Sequence, residues 1–237
     1  MKLTLSPKYA LRGWKLLPYA LLDITTGESH LITANTFNAI KLALSQKAGT
    51  YDDGVITTLI EQSILIEDDR DLFPYQEYKL HPTKYIKSAH WALTNRCNYN
   101  CKHCFISAPS VSKEDLSTTS CKKIIDKLYE FGIYNYSITG GEPLCRKDII
   151  EIIQYAKTKN IILTSIFTNG SLLTQDFINT LLGIGIKPTF YMSFDGRTTH
   201  DWLRGRTGAT ETTIHAVKLL KDNNLSVTLT YMIFKKN

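Results

Sequence analysis

The stretch Trp91-Ala92-Leu93-Thr94-Asn95-Arg96-Cys97-Asn98-Tyr99-Asn100-Cys101-Lys102-His103-Cys104 joins a strand-like run to three cysteines separated by three and then two residues. Spacings this short bring three thiolates around one point. Three thiolates can hold three corners of a cubane iron–sulfur cluster and leave the fourth iron open. An open iron is chemically available, so Cys97, Cys101 and Cys104 read as a reactive centre rather than an electron relay. Zinc is the competing reading, with His103 as a further ligand. His103 immediately precedes Cys104, however, and ligation from that position strains the loop. The remaining cysteines form no second cluster motif: Cys121 near a helix start reads as structural, and Cys145 as a local packing residue.

Downstream of this stretch the chain alternates. Apolar patterning predicts strands over 90–94, 134–138, 162–168, 189–194 and 226–233, with helices over 117–131, 148–159, 174–182 and 210–222. Ser117 and Thr174 suit N-caps, and Gly132 and Gly183 mark helix exits. Repeated crossovers imply a parallel α/β sheet. Five strands do not complete an eight-unit barrel, so the fold expected is an incomplete parallel partial barrel of βα units. Its cysteines follow the first strand, on the edge where such sheets carry their sites.

Upstream lies a small mixed α+β, winged-helix-like domain over residues 1–70. Tyr9 to Asp23 is strand-rich, Thr25-Thr26-Gly27 reads as a turn, and His30-Leu31-Ile32 as a returning strand. Asn35 is expected to cap a helix running through Leu44, followed by a helix from about Asp52 to Gln62 and a strand at Ile64-Leu65-Ile66. Trp14 and Tyr19 read as core or sheet-packing aromatics. The acidic run Glu67-Asp68-Asp69-Arg70-Asp71, with Pro74 and Pro82, breaks this pattern. Residues 71–88 are therefore read as a linker and 89–237 as the second domain.

Apolar content of 43% can fill a core, and 21% charged residues argue against disorder. No uncharged apolar run is long enough for a membrane span, and no secretory signal follows Met1. Clustered free cysteines then point to the reducing cytoplasm. The net charge of +6 lies entirely in residues 89–237, which hold 18 basic and 12 acidic side chains against 10 and 10 before them. No compact basic tract indicates a dedicated nucleic-acid site.

After the second predicted strand comes Ile138-Thr139-Gly140-Gly141-Glu142-Pro143-Leu144. Adjacent glycines permit unusual backbone angles and close ligand approach, and Pro143 stiffens the exit. Exposed amides and a carboxylate here could bind an amino-acid-like ligand; a tight turn before a helix is the plainer reading.

With the cysteines, this motif makes residues 88–237 resemble the radical S-adenosylmethionine (SAM) superfamily. The family's cysteine pattern falls on Cys97, Cys101 and Cys104, and its glycine-rich motif on Gly140, Gly141, Glu142 and Pro143. His103 stands where an aromatic or related residue is usual. The resemblance implies a 4Fe-4S cluster whose open iron binds the amino and carboxylate groups of S-adenosyl-L-methionine. It further implies one-electron cleavage of the cofactor to a 5′-deoxyadenosyl radical that abstracts hydrogen. Gly140, Gly141 and Glu142 would serve the methionine portion. Thr168-Asn169-Gly170 would shape the cofactor-side loop, and Ser193 and Asp195 would offer oxygens to the cofactor. Arg204 lies in a stretch similar to peptide maturases that usually carry auxiliary clusters; it would contact the methionine carboxylate or anchor its loop through Asp201. Asn237 occupies a family-like polar position.

Residues 5–67 resemble the precursor-recognition domain of such maturases. The function implied is radical-dependent maturation of a ribosomally synthesised peptide, forming a thioether or carbon–carbon crosslink. Its partners would be a ribosomal precursor peptide and a one-electron reductant such as flavodoxin or ferredoxin. The core reads as ending before its sixth βα unit, and no cysteine follows Cys145, so a C-terminal partner chain is a further expectation. Alternatives are sulfatase or protein maturation, and a noncatalytic or split-enzyme peptide-binding component.

Overall fold

The computed structural model describes residues 3–16, 18–45, 54–68, 78–108 and 114–235. Asp52, Pro74 and Asn237 lie outside them. The chain divides into two units, Met1–Lys87 with Leu128–Tyr134, and Ser88–Lys127 with Asn135–Asn237.

In the first unit, β1 (Leu3–Leu5) pairs antiparallel with β5 (Leu65–Glu67). A second sheet runs in the order β4 (Ser29–Ile32), β3 (Tyr19–Asp23), β2 (Tyr9–Trp14), β6 (Lys79–His81). Strand β6 lies within the stretch expected to be linker and runs parallel to β2. The β2–β3 hairpin is buried on both faces, which is why its sequence reads as a nearly continuous apolar run. Leu11 and Leu21 join a core with Phe37, Ile40 and Ala43 of α1 (Ala34–Ser45) and Ile56 and Leu59 of α2 (Gly54–Glu61). Ala10, Trp14, Ala20 and Leu22 form a second core with Tyr134. Arg12 Nε donates to the Tyr134 hydroxyl at 3.0 Å, and His81 Nε2 lies 2.9 Å from the same oxygen.

The cap of α1 differs from expectation. Thr33, not Asn35, accepts the Thr36 N–H on its side-chain oxygen at 3.1 Å, and the helix begins at Ala34. Both residue types can cap. Thr33 directly follows β4, one residue before the helix starts, and so stands where the N-cap falls.

The second unit is a five-stranded parallel sheet, an open partial barrel of βα units. Its strands are β7 (Ala89–Thr94), β8 (Asn135–Gly140), β9 (Ile162–Thr168), β10 (Thr189–Ser193) and β11 (Val227–Thr230), adjacent in chain order. Between them run α3 (Thr118–Glu130), α4 (Ile149–Thr158), α5 (Gln175–Gly183), the short α6 (His200–Arg204) and α7 (Ala209–Asp222). Ser117 and Thr174 cap α3 and α5 as expected, each accepting an N–H at 3.1 Å. Alternate strand residues Tyr136, Ile138, Ile166, Phe190 and Met192 are buried, as are Ile125, Ile152, Ile178, Leu181 and Leu220 of the helices. A row of rings follows the strands on alternate positions: Phe167 stacks on Tyr191 at 4.7 Å, and His90 meets Phe167 edge-on at 5.1 Å.

Candidate functional site

Each parallel strand delivers its following loop to the same sheet edge. The loop after β7 carries the cysteines and folds through tight turns, with Cys104 N donating to Cys101 O at 3.0 Å and Ser107 N to Cys104 O at 3.2 Å. Backbone N–H groups point at two sulfurs, Tyr99 N at Cys97 Sγ and Ala108 N at Cys104 Sγ, both at 3.4 Å. All three thiols are free and half-buried. Burial pushes the Cys97 thiol up to about 11, and it raises Cys101 against the opposing pull of Arg204. Among the described residues, no three His, Cys, Asp or Glu side chains converge where a single metal ion could sit.

The Gly-Gly-Glu turn after β8 lies directly against the chain entering this loop. Gly140 has φ +134°, and a Cβ there would sit 2.2 Å from Thr94 O; one on Gly141 would sit 2.2 Å from Arg96 O. Only glycine permits that approach. The amides expected to be exposed are engaged instead: Gly141 N donates to Thr94 O and Glu142 N to Arg96 O, each at 2.8 Å.

Glu142 is likewise not a surface carboxylate. It is 0% exposed. Its Oε1 accepts from Leu144 N at 3.1 Å and Thr168 Oγ1 at 2.8 Å, and its Oε2 from Asn169 N at 2.7 Å. Burial raises its carboxyl despite these donors. It therefore ties the Gly-Gly turn to the loop after β9. That loop is tied in turn to the cysteine loop: Asn169 Nδ2 donates to Asn98 Oδ1 at 2.9 Å, Asn98 Nδ2 to Ser171 Oγ at 2.8 Å, and Ser171 Oγ to Asn169 Oδ1 at 2.6 Å. Sequence reasoning singled out Asn169 but missed Asn98 and Ser171, whose separation in the chain leaves no spacing signal.

Beyond β10, Asp195 is 1% exposed and is an anchor rather than an open ligand. Its Oδ2 takes Arg204 Nε at 2.8 Å and Nη2 at 2.6 Å, with His200 Nδ1 at 3.1 Å, and its Oδ1 accepts Met232 N at 3.0 Å. Burial opposes the charge, but the Met232 N–H and Arg204 outweigh it and hold the carboxyl below its ordinary value. The alternative partner for Arg204 is thereby corrected. Asp201 caps α7 instead, accepting from Gly208 N at 2.6 Å and from Thr210 N and Oγ1 at 2.7 Å. An i, i+3 pairing on a helix competes here with a carboxylate already buried beneath α6, and the buried one takes the guanidinium.

The positive charge of Arg204 also acts on Cys101, opposing the upward push that burial gives its thiol. Gly205, with φ +61°, comes so close to Asn100 O that a Cβ would sit 2.1 Å from it, bringing α6 onto the cysteine loop. Ser193 is half-buried at the end of β10, opposite Thr230. Cys121 is fully buried, its sulfur 3.9 Å from Leu116 O, and Cys145 is half-buried.

The donor set fits an iron–sulfur cluster. Three thiols on one loop, with N–H groups at two of the sulfurs, suit thiolate ligation. Beside them, His103 Nδ1 is buried with no hydrogen-bond partner among the described residues, and a buried polar atom of that kind calls for a partner.

Residues 91–237 match the Radical SAM superfamily model. Among curated proteins, the Fe-coproporphyrin III synthase of Methanosarcina barkeri is 35% identical over 149 residues, 62% of this chain and 37% of that protein. The antilisterial bacteriocin subtilosin biosynthesis protein AlbA of Bacillus subtilis is 31% identical over 151 residues, 63% of this chain and 34% of that one. Among solved structures, Streptococcus suis SuiB bound to precursor peptide SuiA is similar in fold, with a TM-score of 0.65 at 17% identity, covering 99% of this chain and 58% of that one. The chain spans less than half the length of these curated relatives. With the family's pattern matched across more than half of its residues, the chain belongs to the radical SAM superfamily.

Proposed function

We propose that this chain acts in the radical SAM-dependent maturation of a ribosomally synthesised peptide. The observation that carries the reading is the N-terminal α+β unit. The curated relatives align over about 150 residues, whereas the likeness to the peptide-bound SuiB fold extends over 99% of the chain. Such a unit suits a precursor peptide, which an edge strand can take up by extending a sheet. The reading assigns peptide recognition to residues 1–70, a linker to 71–88 and the core to 89–237, while the compact unit itself takes in Met1–Lys87 and Leu128–Tyr134.

Cys97, Cys101 and Cys104 would hold a 4Fe-4S cluster. Together with S-adenosyl-L-methionine, that group supplies one-electron chemistry able to take hydrogen from an unactivated carbon. Gly140 and Gly141 bring the end of β8 against the cysteine loop. Glu142 holds the Gly-Gly turn and the β9 loop in one arrangement. Arg204, oriented by Asp195, has five N–H donors in its fork, two of them given to Asp195 Oδ2, and would meet the cofactor carboxylate with the rest. Ser193 would offer its hydroxyl beside it, and His103 Nδ1 would meet the nucleoside. The row of exposed His90 with half-buried Phe167 and Tyr191 would receive the substrate side chain.

The reductant would be a flavodoxin or ferredoxin in the cytoplasm. Among the described residues, no helix is long and apolar enough to cross a membrane.

Anaerobic reconstitution with iron and sulfide, chemical reduction, and measurement of 5′-deoxyadenosine from S-adenosyl-L-methionine tests the core reading. No product from protein with a confirmed cluster and bound cofactor would count against an autonomous enzyme. Product that appears only after a second chain is added would identify a split enzyme. The 35% identity to an Fe-coproporphyrin III synthase supports a second reading, a tetrapyrrole substrate. Fluorescence anisotropy with a neighbouring precursor peptide, its scrambled version, RNA and coproporphyrin separates the two. Equal weak binding of both peptides and RNA would sink the peptide proposal, and tight coproporphyrin binding would favour the second.

A further inference from the structure

Phe105 directly follows the last cluster cysteine and is 96% exposed. Lys102, on the same loop, is also exposed. Its backbone N–H donates to Leu203 O at 2.8 Å, which fixes the loop to α6. Its Nζ stands 5.4 Å from the centre of the Trp202 ring, and Trp202 stacks on Phe234 at 5.7 Å. Trp202 is itself 41% exposed, and the exposed Arg206 follows two residues after α6. Residues 95–108 contain no acidic side chain. Among the described residues, the carboxylates that meet this loop and α6 are engaged: Asp201 by the start of α7, Asp195 by Arg204, and Asp115 by Arg96 at 2.6 Å. The outer face of the cysteine loop is thus aromatic and cationic.

We propose that Phe105, Lys102, Trp202 and Arg206 form the docking surface for an acidic one-electron carrier protein. The proposal rests on the functional reading above and deepens it by placing the reductant. Electron tunnelling falls off steeply with distance, so a carrier must dock where the cluster-holding loop meets solvent, and Phe105 is adjacent in sequence to Cys104. Aromatic rings supply the water-excluding centre of such an interface, and cations steer an acidic partner to it. One electron would pass from the carrier to the cluster that Cys97, Cys101 and Cys104 would hold, with no proton moved and no bond formed or broken. A cationic, aromatic surface also suits single-stranded nucleic acid. Its position on the cysteine loop itself favours the carrier.

The test follows cluster bleaching by anaerobic stopped flow in the reconstituted full chain, with reduced flavodoxin and separately with dithionite. Phe105→Ala and Lys102→Glu should each slow the flavodoxin-driven phase by about tenfold, the scale of losing one interface anchor. Neither should change the dithionite-driven phase, because a small reductant needs no docking surface. Added salt should slow the wild-type flavodoxin reaction and affect Lys102→Glu less. Unchanged flavodoxin rates in both variants, or equal slowing with both reductants, would overturn the proposal. So would Phe105-dependent binding of a single-stranded oligonucleotide alongside Phe105-independent reduction by flavodoxin. If dithionite-reduced protein forms no 5′-deoxyadenosine, the functional reading fails, while the bleaching rates still decide the docking surface.

Discussion

Glu142 after β8 and Asp195 after β10 are buried to the same degree, 0% and 1% exposed, and are stabilised in opposite ways. Three uncharged donors surround Glu142, and burial still raises its carboxyl. Asp195 has a guanidinium on one oxygen and a backbone N–H on the other, and its carboxyl is lowered. Neutral donors hold loops in place and leave an ionisation penalty standing. A bidentate cation removes that penalty and makes each partner depend on the other. Both carboxylates act as struts, but of unlike kinds.

The contrast is most easily broken at Asp195. Asp195→Ala leaves Arg204 near-buried without its partner, so stability should fall by about 3–5 kcal/mol. Urea unfolding measures this, and a loss under about 1 kcal/mol would show that the pair anchors nothing. Glu142→Ala strands the Leu144 and Asn169 amides, both part-buried, at about 1–2 kcal/mol for each unsatisfied group and about 2–4 kcal/mol together. The same titration reads it.

The pH dependence should sharpen the contrast, because the two slopes have opposite signs. Folding favours protonated Glu142, whose carboxyl is raised above 4.5. Its contribution is full below that value and declines as pH rises through the folded value. The stability advantage of wild type over Glu142→Gln should therefore shrink with rising pH. Asp195 is lowered below 3.8, so its contribution is full above that value and is lost as pH falls through the folded value. The advantage over Asp195→Asn should hold at neutral pH and disappear in acid. Parallel slopes in urea midpoints would refute the assignment of opposite kinds.

Thr168→Val gives the smallest effect, about 1 kcal/mol, since it removes one neutral donor to Glu142 and the acceptor for Gly170 N. Thermal unfolding at matched pH checks it.

The parallel sheet was legible because capping residues and glycines punctuate it: Ser117 and Thr174 begin helices where the pattern places them. Cys97, Cys101, Cys104, Gly140 and Gly141 carry their meaning in adjacent spacing. What did not read out was pairing across the chain. Arg204 could have met Asp201 by helix spacing, and only the fold shows Asp195 beneath it. Asn98 and Ser171 close a network whose members no local pattern connects. Short strands such as Leu3–Leu5 and Lys79–His81 owe their state to partners supplied elsewhere, Leu65–Glu67 and β2, because a strand of three residues has little preference of its own.

The N-terminal unit takes in Leu128–Tyr134 as well as Met1–Lys87. Tyr134, 3% exposed, closes the core of Ala10, Trp14, Ala20 and Leu22 and receives Arg12 on its hydroxyl. On the ribosome, then, that unit cannot complete its second core when Lys87 has been made. It must wait, with Trp14 and Arg12 uncovered, until translation has passed through the cysteine loop and all of α3. Contacts so distant in sequence delay folding, and they make the loop that carries the cysteines part of the nascent chain before its neighbour is finished. A chain cut after residue 87 would lack Tyr134 in the same way, so excising this unit as a free-standing binder would call for the later segment to be grafted back.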